Sequence, residues 1–257
     1  MGYTATRLAA QLRARGWDVS GTTRMGDNGT ISFTDHAGVN DGLARASHIL
    51  SSVPPAATGH DPVLTTYGET LRDAPARWVG YLSSTGVYGD TAGAWVDENA
   101  PIGSGRRSAR AAADAAWQSL RADVRVFRLP GIYGPERSAL DRVRAGRAHR
   151  VDLPNQIFSR VHVDDIVRAI VASFAGPAGI YNLTDDLPAP QNHVIAYACA
   201  LLGMPLPPLI AADDPALSPL SRKFYEENRK VANGRAKRLL DWQPLFPDYR
   251  SGLRSLL

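Results

Sequence analysis

The 257-residue sequence predicts an α/β fold in which a parallel sheet is covered by helices on both faces. Three observations carry this expectation. Short β-branched or aromatic runs alternate with helical stretches along most of the chain. The runs at 78–83 and 124–129 are continuous enough to be buried strands. Between them, the alanine-rich stretch 108–120 has strong helix propensity.

The elements can be justified in order. Leu8, Ala9 and Leu12 give the first helix its apolar face, and Gly16 ends it. A short strand follows over 17–21, another over 30–33, and a short helix near 39–46. The strand 48–53 is stopped by Pro54 and Pro55, and a helix around 63–71 leads to the strand 78–83. After the helix 108–120 and the strand 124–129 the texture changes. Residues 131–135 read as a loop, 138–145 as a helix, and the chain is irregular through Ser159. Residues 161–163 lead into a helix over 164–174, whose paired aspartates Asp164 and Asp165 suit a helix N-terminus. The last sheet strand falls at 180–183. Beyond it come a helix over 191–202, a connector with Pro205, Pro207 and Pro208, and a helical region over 219–240.

The N-terminus holds half of a phosphate-binding fingerprint. A dinucleotide-binding unit reads strand, G-x-G-x-x-G/A, helix, with the pyrophosphate on the helix N-terminus. Here Gly2 fits the second glycine, Tyr3 and Thr4 the two variable positions, and Ala5 the small third position. The first glycine and its strand have no counterpart after Met1. The expectation is therefore a gap, or another segment, between the strands 17–21 and 48–53. Either the natural protein begins upstream of Met1 or the chain is marginal in stability, because a central strand satisfies backbone groups on both neighbours.

Composition narrows the function classes. With 44% hydrophobic and 21% charged residues the chain is an ordinary globular protein of one large domain or two small ones. No apolar run approaches the ~20 residues needed to cross a bilayer. The N-terminus lacks the apolar core of a signal peptide, so a cytoplasmic location is the default expectation. Cys199 is the sole cysteine and sits among apolar neighbours, as a buried structural thiol does. A formal charge of +4 favours anionic ligands, with arginines dense over 137–150. No basic module with groove-reading or aromatic partners accompanies them, so nucleic acid is not an expected partner. The histidines lack zinc spacing, and no metal is expected.

Four segments occur in register: 81–90 (YLSSTGVYGD), 97–101 (DENAP), 128–135 (RLPGIYGP) and 161–165 (VHVDD). Together they resemble the extended short-chain dehydrogenase/reductase superfamily, in its NAD-dependent epimerase/dehydratase-like branch, and the resemblance covers nearly the whole chain. It implies a Rossmann-like doubly wound parallel sheet with a small, mainly C-terminal substrate lobe. The Rossmann domain would comprise 1–133 and 161–184, and the lobe 134–160 and 185–257. It further implies that 51–55, with Ser52, Val53 and Pro54, line a dinucleotide cofactor. Ser84 and Thr85 would stand beside the nicotinamide and a small-molecule substrate, with Pro130 along the nicotinamide edge. The resemblance also raises a homodimer built through helices that flank the sheet.

Charge addresses the choice of cofactor. An NAD site carries an acid at the end of the second strand to hold the ribose 2′-hydroxyl. That place reads Gly21-Thr22-Thr23-Arg24, and Thr23 with Arg24 suits a 2′-phosphate, so NADP is expected ahead of NAD. The competing reading makes Arg24 a solvent-facing loop residue.

The superfamily's Tyr-x-x-x-Lys pair is absent. Aligned on Ala111-Ala112-Ala113-Asp114, the lysine position falls on Arg110 and the tyrosine position on Arg106. Arginine is a poor general acid or base, although Arg110 can still hold a ribose or phosphate. Tyr133 and Tyr88 are the candidate replacement phenols, Tyr133 being taken together with Ser84 and Thr85 as the catalytic set. Two functions stay open on the sequence. One is an oxidoreductase or epimerase acting on a carbinol or carbonyl of an unidentified substrate, for which the resemblance suggests a nucleotide sugar. The other is a non-catalytic NADP-binding sensor or scaffold.

Overall fold

The order of elements follows the predicted alternation. The first half runs α1 (Tyr3–Arg13), β1 (Thr22–Thr23), β2 (Ile31–Ser32), α2 (His36–Arg45), β3 (His48–Ser51), α3 (Pro62–Asp73), β4 (Trp78–Ser84), β5 (Trp95–Val96), α4 (Ser108–Leu120) and β6 (Val124–Leu129). The second half runs β7 (Gly131–Tyr133), α5 (Ala139–Arg144), β8 (Arg150–Val151), β9 (Arg160–His162), α6 (Val163–Ala172), β10 (Gly179–Asn182), α7 (Gln191–Leu202), β11 (Leu209–Ile210), α8 (Pro219–Phe224), β12 (Lys230–Val231), α9 (Gly234–Leu240) and α10 (Tyr249–Arg254). This computed structural model describes residues 1–56, 59–103 and 108–257.

Side-chain alternation explains the layers. The main sheet has the order β10-β6-β4-β3, all parallel. Trp78 and Leu82 of β4 and Phe127 and Leu129 of β6 point to one face, where they meet Leu8 and Leu12 of α1 and Ile166 and Ile170 of α6. Val79 and Tyr81 of β4 and Val124 and Val126 of β6 point to the other, against Leu71 of α3 and Trp117 of α4. Both faces are buried, as the doubly wound α/β class requires. A separate cluster joins Tyr133 to α5, α7 and α10 through Leu140, Ile195, Cys199 and Leu253.

Several boundaries depart from the expected ones, each for a local reason. The helix expected near 39–46 begins at His36 because the Asp35 carboxylate caps it from Gly38 N–H. The stretch 131–135, expected as a loop, contains β7, which pairs in parallel with β9. The helical region expected over 219–240 is split by β12, which pairs with β5 at a separation of 135 residues in sequence. At the start of α6 the cap is His162, whose Nδ1 accepts the Asp164 N–H at 3.2 Å. The two aspartates serve other elements. Asp164 pairs with Arg7 of α1, and Asp165 accepts the N–H groups of Leu245 (2.6 Å) and Phe246 (3.0 Å).

The strand expected over 17–21 begins only at Thr22. Strand pairing is found on one side alone, where Ile31 N–H reaches Gly21 O and Phe33 N–H reaches Thr23 O; on the other side the Met1 ammonium donates to Thr22 O at 2.8 Å. On the other side lies the edge of β3, and among the described residues no strand joins β1 to β3. A cavity of about 940 Å³ separates them, walled by Leu8 and Leu12, Val39 and Leu43, Ile49 and Trp78. Its lower end is closed by aromatic contacts: Trp17 meets His48 at 4.8 Å and Phe174 at 5.4 Å, and Phe174 meets Trp78 at 5.1 Å.

Candidate functional site

The mouth of this cavity lies where ligands gather in parallel sheets, beyond the carboxyl ends of the strands. Three chain segments form it. The first is the start of α1. Gly2 adopts an extended conformation, no side chain caps the helix, and the first intrahelical bond runs from Thr6 N–H to Gly2 O. The amides ahead of Thr6 thus have no partner within the helix, and the helix dipole adds positive potential there. A methyl group built on Gly2 meets nothing within 4 Å, so a ligand can approach the backbone closely.

The second segment is the end of β3 with Ser52, Val53 and Pro54, which line the cavity. Ser51 joins them, and its hydroxyl is buried with no hydrogen-bond partner. An unpaired buried hydroxyl at a cavity wall is unfavourable unless a ligand completes it. The third segment is β1 and the turn after it. Thr23 lines the cavity, but its hydroxyl is engaged within the turn, donating to Asp27 Oδ1 (2.7 Å) and accepting from Gly26 N–H (3.0 Å). Arg24 is exposed on the same rim, and no ion pair or side-chain hydrogen bond to it is found among the described residues. The site thus combines open amides, a small-residue approach, an unsatisfied hydroxyl and a free guanidinium. That set fits a dinucleotide phosphate group.

Gly2, Thr23, Arg24, Ser52, Val53 and Pro54 therefore share one cavity. Other expected site residues lie elsewhere. Thr4 is buried, and Tyr3 turns its hydroxyl to Pro135 O at 2.9 Å. Arg110 faces the buried Tyr81 hydroxyl. Pro130 follows β6, away from the cavity wall. Arg106 lies outside the described residues.

The catalytic set expected from sequence takes packing and turn positions. Ser84 Oγ accepts the Gly86 N–H at 3.1 Å, fixing the turn Thr85–Tyr88, and Thr85 is buried. Tyr133 is 8% exposed and has no partner for its hydroxyl. It abuts Gly252 of α10 so closely that a Cβ there would sit 1.9 Å from the phenol oxygen. Burial, with Asp185 nearby, pushes the Tyr133 phenol far above its usual range. Tyr88 is likewise buried, which raises it too, and its hydroxyl donates to Asn182 Oδ1 (2.8 Å) while accepting from Arg128 (3.0 Å). Neither phenol opens onto the cavity.

Sequence reasoning missed the polar core behind the turn. Arg128 and Asp114 form a bidentate pair at 2.9 and 3.1 Å, with side chains 2% and 0% exposed. Ser83 adds a hydrogen bond to Asp114 at 2.5 Å. Through Tyr88 and Asn182 the network reaches Glu98, which accepts the Asn182 N–H at 2.8 Å. The signal in sequence is a pair of arginines, Arg125 and Arg128, inside a strand whose other residues are apolar.

No established family profile matches the chain. A conserved protein of unknown function from Silicibacter pomeroyi DSS has the same architecture, with 40% sequence identity, a TM-score of 0.89 and coverage of 99% of this chain and 95% of its own. The chain belongs to that protein's family. Its fold is shared by the human epimerase family protein SDR39U1, solved with NADPH, at 18% identity and a TM-score of 0.75 over 99% of this chain and 96% of that one. Among curated relatives, a 3-diazoavenalumate denitrifying reductase from Streptomyces is 28% identical, covering 98% of this chain and 96% of the relative.

Proposed function

We propose that the chain binds a nicotinamide dinucleotide, NADP ahead of NAD, at the mouth of the β1–β3 cavity and acts as a reductase-like enzyme on a small-molecule carbonyl or carbinol. The observation that carries this reading is the convergence of the open α1 N-terminus, the unpaired Ser51 hydroxyl and the unpaired Arg24 guanidinium on one rim. The helix amides and Gly2 would hold the pyrophosphate, and Arg24 the 2′-phosphate. When bound, the cofactor supplies hydride. The chain's own contribution is to bind, orient and exclude water. The reductase name of the Streptomyces relative and the NADPH of the human structure support the same reading.

Calorimetric titration of wild type and Arg24→Ala with NADPH and NADH tests it. Loss of one charge-assisted phosphate contact should weaken NADPH by ~1.5–3 kcal/mol and leave NADH nearly unchanged. Equal small losses for both cofactors would remove the 2′-phosphate role. A second reading, a non-catalytic dinucleotide sensor, is favoured by the sequestered phenols of Tyr88 and Tyr133. It predicts tight NADPH binding with no oxidation across a panel of carbonyl compounds.

A further inference from the structure

The loop that leaves β7 brings one more cation to the start of α1. β7 follows the carboxyl end of β6, so the turn 134–137 emerges on the same side of the sheet as the cavity mouth. Three contacts fix that turn. Tyr3, the first residue of α1, donates its hydroxyl to Pro135 O at 2.9 Å. Arg137 N–H donates to Gly134 O at 3.1 Å, with Glu136 between them in the left-handed region at φ 62°. Ser138, next in the chain, caps α5 through reciprocal hydrogen bonds with Asp141. The close approach to α1 requires Gly134, where a Cβ would stand 2.6 Å from both the Tyr3 hydroxyl and Val163 Cγ1.

This turn presents Arg137, which opens the arginine-dense stretch 137–150. Its guanidinium lies over the Tyr3 ring, 5.5 Å from the ring centre. The side chain is exposed, and among the described residues it has no acidic partner and no hydrogen bond. The neighbouring cation, Arg7 of α1, is by contrast bound to Asp164 through both Nε and Nη2. An arginine held over an aromatic ring keeps its N–H groups free for an anion. Two independent features place an anion site at this end of α1. The helix is uncapped, and Ser51, 6% exposed, has an unpartnered hydroxyl on the wall of the cavity that Gly2 also lines.

We propose that Arg137 is a binding residue for the dinucleotide pyrophosphate: carried by the fixed turn and resting on Tyr3, its guanidinium closes over a diphosphate held by the α1 amides. This rests on the dinucleotide reading above and adds a residue that lies outside the cavity wall. The two arginines then divide the work. Arg24 meets the 2′-phosphate, and Arg137 meets the diphosphate that NADPH, NADH and ADP have in common.

Calorimetric titration of wild type, Arg137→Gln and Arg137→Lys with NADPH, NADH, ADP and 2′-AMP tests it. Arg137→Gln should weaken NADPH, NADH and ADP alike, by roughly tenfold or more, and leave 2′-AMP within about twofold. Arg137→Lys keeps the charge without the fork and should recover part of the loss. The melting temperature should not move in either variant, because the guanidinium is exposed. Unchanged NADH and ADP affinity in Arg137→Gln overturns the assignment while dinucleotide binding stands. A loss that extends equally to 2′-AMP also overturns it, since a diffuse charge effect would then suffice. If wild type binds none of the four ligands, the dinucleotide reading falls and this assignment with it.

Discussion

Placing five apolar β-branched residues and a glycine directly before Met1 tests what the space between β1 and β3 accepts. The added glycine would supply the first position of the fingerprint, with Met1 as the next and Gly2 following. A strand there would lie ~4.8 Å from each neighbour and rise ~3.3 Å per residue, so five residues span the edge of β3. The free edge of β3 and the edge of β1, where only the Met1 ammonium now bonds, to Thr22 O, allow roughly six backbone hydrogen bonds, each worth ~1 kcal/mol net. About four side chains would enter the apolar walls formed by Leu8, Leu12, Val39, Leu43 and Ile49, at ~2 kcal/mol each. Ordering six residues opposes this by ~1.5–2 kcal/mol apiece. The balance is a gain of ~3 kcal/mol, which in a chain of this size raises Tm by roughly 6–12 °C. Scanning calorimetry measures the shift, and NADPH titration should show tighter binding in the same variant. A matched extension with proline at its centre should gain little, since proline cannot donate to the ladder. If the extended chain melts where the original does, or the proline control gains as much, the edges of β1 and β3 do not receive a strand and the reasoning fails.

Two further outcomes follow from buried groups. Asp114→Asn leaves Arg128 buried and unpaired, so urea unfolding should show a loss of ~3–5 kcal/mol; a loss below about 1 kcal/mol would mean that the pair is dispensable. Burial lowers His162 to about 4, so the folded chain resists its protonation and loses stability as pH falls from about 6.5 towards 4, by no more than about 3 kcal/mol. His162→Asn keeps an acceptor for the Asp164 N–H and should flatten that part of the stability–pH curve; an unchanged curve would assign the acid sensitivity to another group.

Local chemistry in the sequence located the long elements well. The spans of α4, β6 and α7 agree residue for residue with expectation, because each is a continuous run with clear ends. Gly2, Arg24 and 52–54, singled out by residue type and position, do line one cavity, whereas Tyr3, Thr4, Arg110 and Pro130 do not. What stayed hidden was whatever depends on distant partners. β5 and β12 are two-residue strands that exist only through each other, and two residues carry no periodicity. The Asp164–Arg7 pair joins residues 157 apart, so a pair of aspartates before a helix read as caps. The enclosure of Tyr133 depends on α10, an element the sequence did not announce, and the phenol therefore looked available.

The Arg128–Asp114 pair has a consequence for how the sheet assembles. Side chains alternate along a strand, so a one-residue slip of β6 against β4 would carry Arg128 to the opposite face, away from α4. Such a slip would also strand a guanidinium among Leu8, Ile166 and Ile170. The aliphatic residues of β4 and β6 tolerate either face almost equally; Arg128, paired with Asp114 on α4, does not. A single charged pair thus proofreads the central alignment while the chain is still searching, and only the correctly aligned sheet lets Tyr88 and Asn182 close the remaining bonds.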